Sequence, residues 1–215
     1  MVPFSSLISP INTYKMSAEK LHIIPHKHAI TKEDRSNLKG HPGMVVWFIG
    51  LSGSGKSTLA SELERQLFER GKHTYILDGD NIRSGLNSDL DFSDSARKEN
   101  LRRIGEVAKL MVDASIITLT AFITPFEEER RRLKKLIGEE NFIEVYVNCP
   151  IEECEKRDVK GLYAKARRGE ISNFTGISSP FEEPQNPDVK VPTHELSIAE
   201  GVELVMKVLE DRIGR

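Results

Sequence analysis

Short apolar runs alternate with stretches of helical periodicity along most of the chain. Residues 44–49 (Met-Val-Val-Trp-Phe-Ile) are apolar throughout and bounded by glycine, which is typical of a strand covered on both faces. In the next segment Leu59, Leu63 and Leu67 share one helical face, which predicts an amphipathic helix ending at Gly71. Further strands are predicted over 73–77, 116–123, 142–147 and 189–191, and further helices over 94–113, over 127–137 and from the Ser197–Glu200 capping box onward.

This alternation predicts an α/β domain over residues 44–215, with a mostly parallel, five-stranded sheet and helices on both faces in a three-layer sandwich. Residues 1–20 contain proline and serine without periodicity and are predicted to form a flexible extension. Residues 21–43 include a capping-box spacing, Thr31 to Asp34, that predicts a short helix ending near Gly40. We expect this segment to pack on the core.

The composition narrows the class of protein. The 215 residues are 38% hydrophobic and 30% charged, which is enough apolar mass for a globular core. A net charge of −2 argues against binding to a nucleic acid polymer or a membrane surface. The N-terminus lacks the pattern of a signal peptide, and the spacing of Cys149 and Cys154 fits two reduced thiols rather than a metal site. We therefore expect a cytoplasmic protein.

One glycine-rich segment carries the main chemical signal. Residues 50–57 (Gly-Leu-Ser-Gly-Ser-Gly-Lys-Ser) fit the phosphate-binding P-loop pattern, and they lie between an apolar strand and an amphipathic helix as that pattern requires. Glycines let backbone N–H groups turn toward phosphate oxygens at a helix N-terminus. Lys56 can reach the β- and γ-phosphates, and the Ser57 hydroxyl can bind Mg²⁺. The sequence therefore predicts a P-loop NTPase-type fold with an ATP site.

A second polar cluster closes the next predicted strand. Residues 77–83 (Leu-Asp-Gly-Asp-Asn-Ile-Arg) lie at the carboxyl edge of the sheet, where open α/β folds bind ligands. Asp80 is a candidate base and metal partner, and Arg83 can neutralise an anionic acceptor. The structural alternative is an Asp-Gly turn with a surface salt bridge.

A third cluster is basic. Residues 156–170 contain six basic and two acidic side chains, punctuated by glycine, and Phe174 follows. Such a segment is well placed to be a lid over phosphates, with Phe174 stacking on a base. A solvated charged helix remains the alternative.

Together these segments resemble the adenylyl-sulfate kinase family. The similarity rests on the P-loop, on DGDNIR (78–83), on RDVKGLY (157–163) and on FTGI (174–177), and it extends from about residue 22 to the C-terminus. The resemblance implies transfer of the γ-phosphoryl group of ATP to the ribose 3′-hydroxyl of adenosine 5′-phosphosulfate. It also implies Mg²⁺, a homodimer, and an ATP sulfurylase on a separate chain.

The resemblance further implies the roles of individual residues. Lys56 and Asp80 would be catalytic, and Ser57 with Asp80 would hold the metal. The ATP-binding residues would be Gly50, Gly53, Ser54, Gly55, Lys56, Ser57, Thr58 and Leu196. The acceptor-binding residues would be Asp80, Arg83, Phe92, Arg97, Asn100, Ile123, Thr124, Lys160, Asn173 and Phe174, with Phe92 and Phe174 on either side of the acceptor adenine.

This chain departs from the family pattern at four positions: Thr124 replaces a serine, Asp91 a glycine, Pro25 a tryptophan and Lys98 an acidic residue. We expect Thr124 to bind substrate only, since direct phosphoryl transfer needs no phosphorylated intermediate. Two other functions stay open at this point. One is a P-loop kinase for another small acceptor, and the other is a regulatory nucleotide-binding module whose acceptor site has degenerated, against which intact Lys56, Ser57, Asp80 and Arg83 argue.

Overall fold

The computed structural model describes Ile24 and residues 26–214, and it contains a sheet of five parallel strands in the order β2-β3-β1-β4-β5. The strands are β1 (Met44–Ile49), β2 (Thr74–Asp78), β3 (Ile117–Ala121), β4 (Phe142–Asn148) and β5 (Val189–Pro192). The helices are α1 (Lys32–Lys39), α2 (Lys56–Glu69), α3 (Gly79–Ser84), α4 (Asp94–Asp113), α5 (Glu127–Ile137), α6 (Ile151–Arg157), α7 (Leu162–Arg167) and α8 (Ile198–Ile213), with a 3₁₀ turn over Glu139–Asn141.

Strand β1 is the centre of the molecule because both of its faces are covered. Val46 and Phe48 belong to an apolar cluster with side chains of α2 and α8. Val45, Trp47 and Ile49 belong to a second cluster with side chains of α4 and α5. The predicted three-layer α/β sandwich is confirmed. The sheet was predicted to be mostly parallel, and all of its strand pairings are parallel.

Most predicted elements are present, with small shifts at their ends. Strand β3 is shorter than predicted: it ends at Ala121, and Phe122 and Ile123 follow it at the carboxyl edge of the sheet, where each keeps one backbone hydrogen bond, to Phe48 and Gly50 respectively. Both capping boxes form, at Thr31 and at Ser197. Helices α3 and α6 were not predicted, and α7 lies in the basic segment for which a charged helix was one of two alternatives; six or seven residues are too few to display an apolar period.

The described residues fall into two units divided between Ile30 and Thr31. Within the second unit, α1 is tied to the rest by side-chain hydrogen bonds: Lys32 to Asn141 at 2.8 Å, Arg35 to Asp113 at 2.9 Å and Lys39 to the Ala114 carbonyl at 2.7 Å. The predicted extension over 1–20 and the Pro25 position lie outside the described residues. No helix in the described part of the chain has the length and apolar character needed to cross a membrane.

His41 joins the end of α1 to the start of β2. Its Nε2 accepts a hydrogen bond from the backbone N–H of His73 at 3.0 Å, and its Nδ1 lies 3.0 Å from the Pro42 carbonyl oxygen. The accepting Nε2 requires the neutral ring with its proton on Nδ1. Burial lowers the pKa of His41, because the charged imidazolium loses its hydration there.

We expect folding stability to fall as pH drops from about 6.5, the pKa of an unfolded histidine, toward the lower pKa of folded His41. In that window the unfolded chain binds a proton that the folded chain does not, so this group contributes a slope of at most about 1.4 kcal/mol per pH unit. Urea unfolding at several pH values measures the slope. His41→Asn should flatten it, whereas His28→Asn, which alters an exposed ring, should not; an equally steep slope in His41→Asn contradicts the assignment.

Candidate active site

The P-loop connects β1 to α2 at the carboxyl edge of the sheet. Gly53 and Gly55 adopt positive φ angles of 74° and 103°, a region that favours glycine. At Gly50 a side chain has no room, because a Cβ atom there would lie 2.5 Å from the Val147 carbonyl oxygen. Gly55 is also the N-cap of α2 and no side chain caps it, so the first amides of α2 are available to an anion.

Lys56 lies beneath this loop and is buried. Its ammonium group donates to the Leu51 carbonyl at 2.6 Å, which holds the side chain along the inside of the loop. Burial lowers the pKa of Lys56 to about 8, because the charged form is desolvated. A bound phosphate would restore the preference for the charged form.

The outer side of the P-loop is held by residues from the predicted lid. The Tyr163 hydroxyl donates to the Ser52 carbonyl at 2.9 Å, and the Arg157 guanidinium donates to the Thr193 carbonyl at 2.8 Å. The Thr193 hydroxyl donates in turn to the Ser54 carbonyl at 2.7 Å. Within the loop, the Ser54 N–H donates to the Leu51 carbonyl at 3.2 Å and the Gly50 N–H to the Ile123 carbonyl at 3.4 Å.

Sequence reasoning missed Asp78, although it stands at the end of β2 in the same motif as Asp80. One carboxylate oxygen of Asp78 accepts from the Ser57 hydroxyl at 2.7 Å, and the other accepts from the Asp80 backbone N–H at 3.1 Å. Ser57 and Asp78 therefore bring a hydroxyl oxygen and a carboxylate oxygen together beside the P-loop.

Asp80 instead faces the lid. Its carboxylate accepts from the Lys160 ammonium at 2.5 Å, and both side chains are largely exposed, at 72% and 60%. The two residues are far apart in sequence, so only the fold brings the candidate base to the predicted substrate lysine. Lys160 thus occupies one carboxylate oxygen, Oδ2, of the candidate base Asp80.

Arg97 connects two segments of the acceptor side. From α4 it donates to the Phe92 carbonyl at 2.9 Å, to the Asn173 carbonyl at 2.8 Å and to the Thr175 hydroxyl at 3.3 Å. The guanidinium of Arg83 lies 4.3 Å from the centre of the Phe92 ring, a cation–π contact. The structure therefore brings both predicted arginines to the Phe92 loop, and Arg97 also to the Phe174 segment.

The two predicted stacking rings have different surroundings. Phe92 is 65% exposed, whereas Phe174 is only 8% exposed and packs edge-on against Tyr163 with ring centres 4.9 Å apart. Asn173, next to it, has a positive φ of 55°. Phe92 is thus open to a ligand, and Phe174 belongs to the small apolar core of the lid.

Other predicted residues are partly or fully engaged within the protein. Asn100 is buried, and its side-chain amide oxygen accepts a hydrogen bond from the side-chain amide of Asn87. Asn87 is fully buried and was not singled out from the sequence. The Ile123 carbonyl accepts from the Gly50 N–H at 3.4 Å. Leu196 packs against the apolar core beside α8, and Thr58 is exposed in the first turn of α2.

A cavity of about 770 Å³ opens beside the P-loop, at the carboxyl end of β4. The segment Gly176–Glu183 forms one wall, and Leu51, Cys149 and Ile151 form the other. Tyr146 and Phe181 stack at its base with ring centres 6.1 Å apart. Sequence reasoning missed this wall, since its residues carry no charge pattern that marks a site.

A parallel sheet with a P-loop, a carboxylate cluster after its second strand and a basic segment over 156–170 is the arrangement of a P-loop kinase. The adenylylsulphate kinase family model matches residues 42–192. The chain is 57% identical over 188 residues to a probable adenylyl-sulfate kinase of Halalkalibacterium halodurans, covering 87% of this chain and 93% of that protein. It is 53% identical over 194 residues to an adenylyl-sulfate kinase of Staphylococcus epidermidis, covering 90% of this chain and 98% of that protein. The chain belongs to the adenylyl-sulfate kinase family, as its motifs predicted.

A solved structure from the same family has the same fold. The Mycobacterium tuberculosis APS kinase, in complex with AMPPNP and APS, superimposes with a TM-score of 0.76 at 48% sequence identity. The match covers 79% of this chain and 98% of that one.

Proposed function

We propose that this protein transfers the γ-phosphoryl group of ATP to the ribose 3′-hydroxyl of adenosine 5′-phosphosulfate, giving 3′-phosphoadenylyl sulfate and ADP. The observation that carries the proposal is the meeting of Arg83, Arg97 and Phe92, which brings two cations to one exposed aromatic ring. An anionic adenine nucleotide matches that chemistry. The family relative solved with AMPPNP and APS supports it.

On the donor side, the protein acts by positioning charge. The amides of the P-loop and the first turn of α2 bind the β- and γ-phosphates, and the Lys56 ammonium neutralises the charge that develops during transfer. Because Lys56 is buried, its interaction with phosphate is screened little by water.

On the acceptor side, Asp80 accepts the proton of the attacking 3′-hydroxyl. Lys160 holds the Oδ2 atom of the Asp80 carboxylate, and transfer of Lys160 to the phosphosulfate group of the acceptor, another anion, would free that oxygen. Acceptor binding and freeing of the base are thereby linked. Arg83 and Arg97 bind the same phosphosulfate, while Phe92 stacks on the adenine.

The oxygens at the P-loop suit a magnesium ion. Ser57 and Asp78 present a hydroxyl and a carboxylate 2.7 Å apart, and Asp80 follows two residues after Asp78 in the first turn of α3. Among the described residues no group of three or more histidine, cysteine or acidic side chains could hold a metal without help. This donor set fits Mg²⁺, which takes one or two protein ligands and completes its shell with water and substrate phosphates. When bound, the ion would neutralise charge on the β- and γ-phosphates.

The acceptor is tested by ADP release with a panel of substrates. We expect turnover with adenosine 5′-phosphosulfate and none with gluconate, shikimate or nucleoside monophosphates. Turnover of another acceptor in place of the phosphosulfate would establish a different P-loop kinase, and no turnover with nucleotide binding intact would establish a regulatory module. The homodimer and the ATP sulfurylase on a separate chain stay predictions, and so does the cytoplasmic location expected from the cysteines and the N-terminal sequence.

Substitutions of Phe92 and Phe174 should distinguish an effect on acceptor binding from an effect on folding stability. Phe92→Ala should weaken acceptor binding by about 1–3 kcal/mol, the range for loss of one base-stacking ring, with little change in melting temperature because Phe92 is exposed. Phe174→Ala should weaken acceptor binding similarly and also lower the melting temperature, because that ring packs against Tyr163. The acceptor KM and thermal unfolding measure these effects. An unchanged acceptor KM in both variants would count against the adenine site.

A further inference from the structure

Thr124 occupies an unusual backbone conformation at the acceptor edge. It follows β3, it is only 2% exposed, and its φ angle is +44°. β-Branched residues rarely adopt the left-handed region, so the surrounding structure must hold the residue there. Since Ile123 and Thr124 are predicted to contact the acceptor, whatever holds this conformation also sets the shape of the acceptor site.

Two buried side chains hold Thr124 from different elements. Trp47 of β1 donates its indole N–H to the Thr124 hydroxyl at 2.9 Å. Arg130 of α5 donates from its guanidinium to the Thr124 carbonyl at 3.1 Å. The first bond orients the side chain and the second orients the peptide that follows.

A simpler role for Arg130 would be to neutralise Glu144, a buried carboxylate on β4. The distances show that neutralising Glu144 is not enough to explain the position of Arg130. Glu144 already pairs with Lys134 at 3.0 Å, whereas its distance to the Arg130 guanidinium is 3.7 Å. Among the described residues, the Arg130 guanidinium makes one hydrogen bond, to the Thr124 carbonyl, and its other terminal nitrogen has no partner. A buried guanidinium is expensive to desolvate, so its single direct bond indicates its role.

We infer that Arg130 is a positioning residue for the acceptor: with Trp47 it fixes the left-handed turn at Thr124 that shapes the acceptor side of the site. The inference rests on the proposed function for the identity of the acceptor. The geometry at Thr124 does not depend on that identity.

The test uses Arg130→Lys, which keeps a cation beside Glu144 but loses the guanidinium bond to the Thr124 carbonyl. We expect near-normal thermal stability, an acceptor KM raised about tenfold or more, and an ATP KM within about twofold of wild type, as for a change confined to one subsite. Arg131→Lys on the same helix, at an exposed position, is the matched control and should change neither constant. If Arg130 only neutralised Glu144, lysine would restore full acceptor affinity, and that result would overturn the inference.

A second readout does not depend on turnover. Trp47 is the single tryptophan of the chain and is bonded to Thr124, so its ligand-free fluorescence reports on the turn. The emission maximum should shift in Arg130→Lys and not in Arg131→Lys; an unshifted spectrum contradicts the inference whichever acceptor is the substrate. Arg130→Gln, which keeps a donor without the charge, is the second variant. Failure of both variants to fold would assign Arg130 to folding and overturn its positioning role.

Discussion

Asp80→Asn should lower kcat by about 10²-fold or more, the scale of losing a positioned general base. The expected loss is kinetic, because the Asp80 side chain is 72% exposed and its partner among the described residues is Lys160, which is 60% exposed. Removing the charge should therefore leave the fold and the melting temperature unchanged. Steady-state kcat at saturating ATP and acceptor measures the effect.

The matched control is Asp113→Asn, which changes another exposed, ion-paired aspartate that lies on α4 and pairs with Arg35. We expect normal kcat in that variant. Asp78→Asn provides the second comparison: with its carboxylate beside Ser57, it should raise the Mg²⁺ concentration needed for half-maximal rate. Near-normal kcat in Asp80→Asn, together with a large loss in Asp78→Asn, would transfer the role of base to Asp78.

Lys56→Met should lower kcat by about 10²–10³-fold, comparable with the loss of one preorganised charge or donor at a developing anion. The variant should fold, since methionine has a similar length and burying it removes the desolvation of a charge. The measured quantities are kcat and the ATP KM. A rise in the ATP KM at unchanged kcat would mean that Lys56 binds ATP without favouring the transition state.

The pH dependence of the same residue gives an internal check. In the free protein the Lys56 pKa is about 8, so above that pH most molecules carry a neutral lysine and must take up a proton to bind phosphate. We expect kcat/KM for ATP to decline as pH rises through about 8 and to be level just below it. Lys56→Arg, whose side chain stays charged, should be slower but should lack this decline. An identical decline in Lys56→Arg would assign it to another group.

Much of the fold was predictable because its causes are local. The unbroken apolar sequence of β1 reflects two covered faces, and the leucine spacing of α2 reflects a single buried stripe. Two capping boxes marked α1 and α8 correctly. Helices α3 and α6 escaped prediction, and α7 was only one of two alternatives, because turns this short display no apolar period. A local contact supports α7: the Asp158 carboxylate accepts from the Tyr163 N–H at 3.0 Å at the start of the helix.

The site divides in the same way. The glycines, Lys56 and Ser57 of the P-loop form a contiguous motif whose spacing carries its own chemistry, so the sequence by itself determined the ATP site and the family. Only the tertiary structure decided the partners of the polar side chains. Ser57 meets Asp78, Asp80 meets Lys160, and Thr124 meets both Trp47 and Arg130. These contacts join different strands and helices, and no local periodicity encodes the distance between residues that meet only when the sheet is assembled.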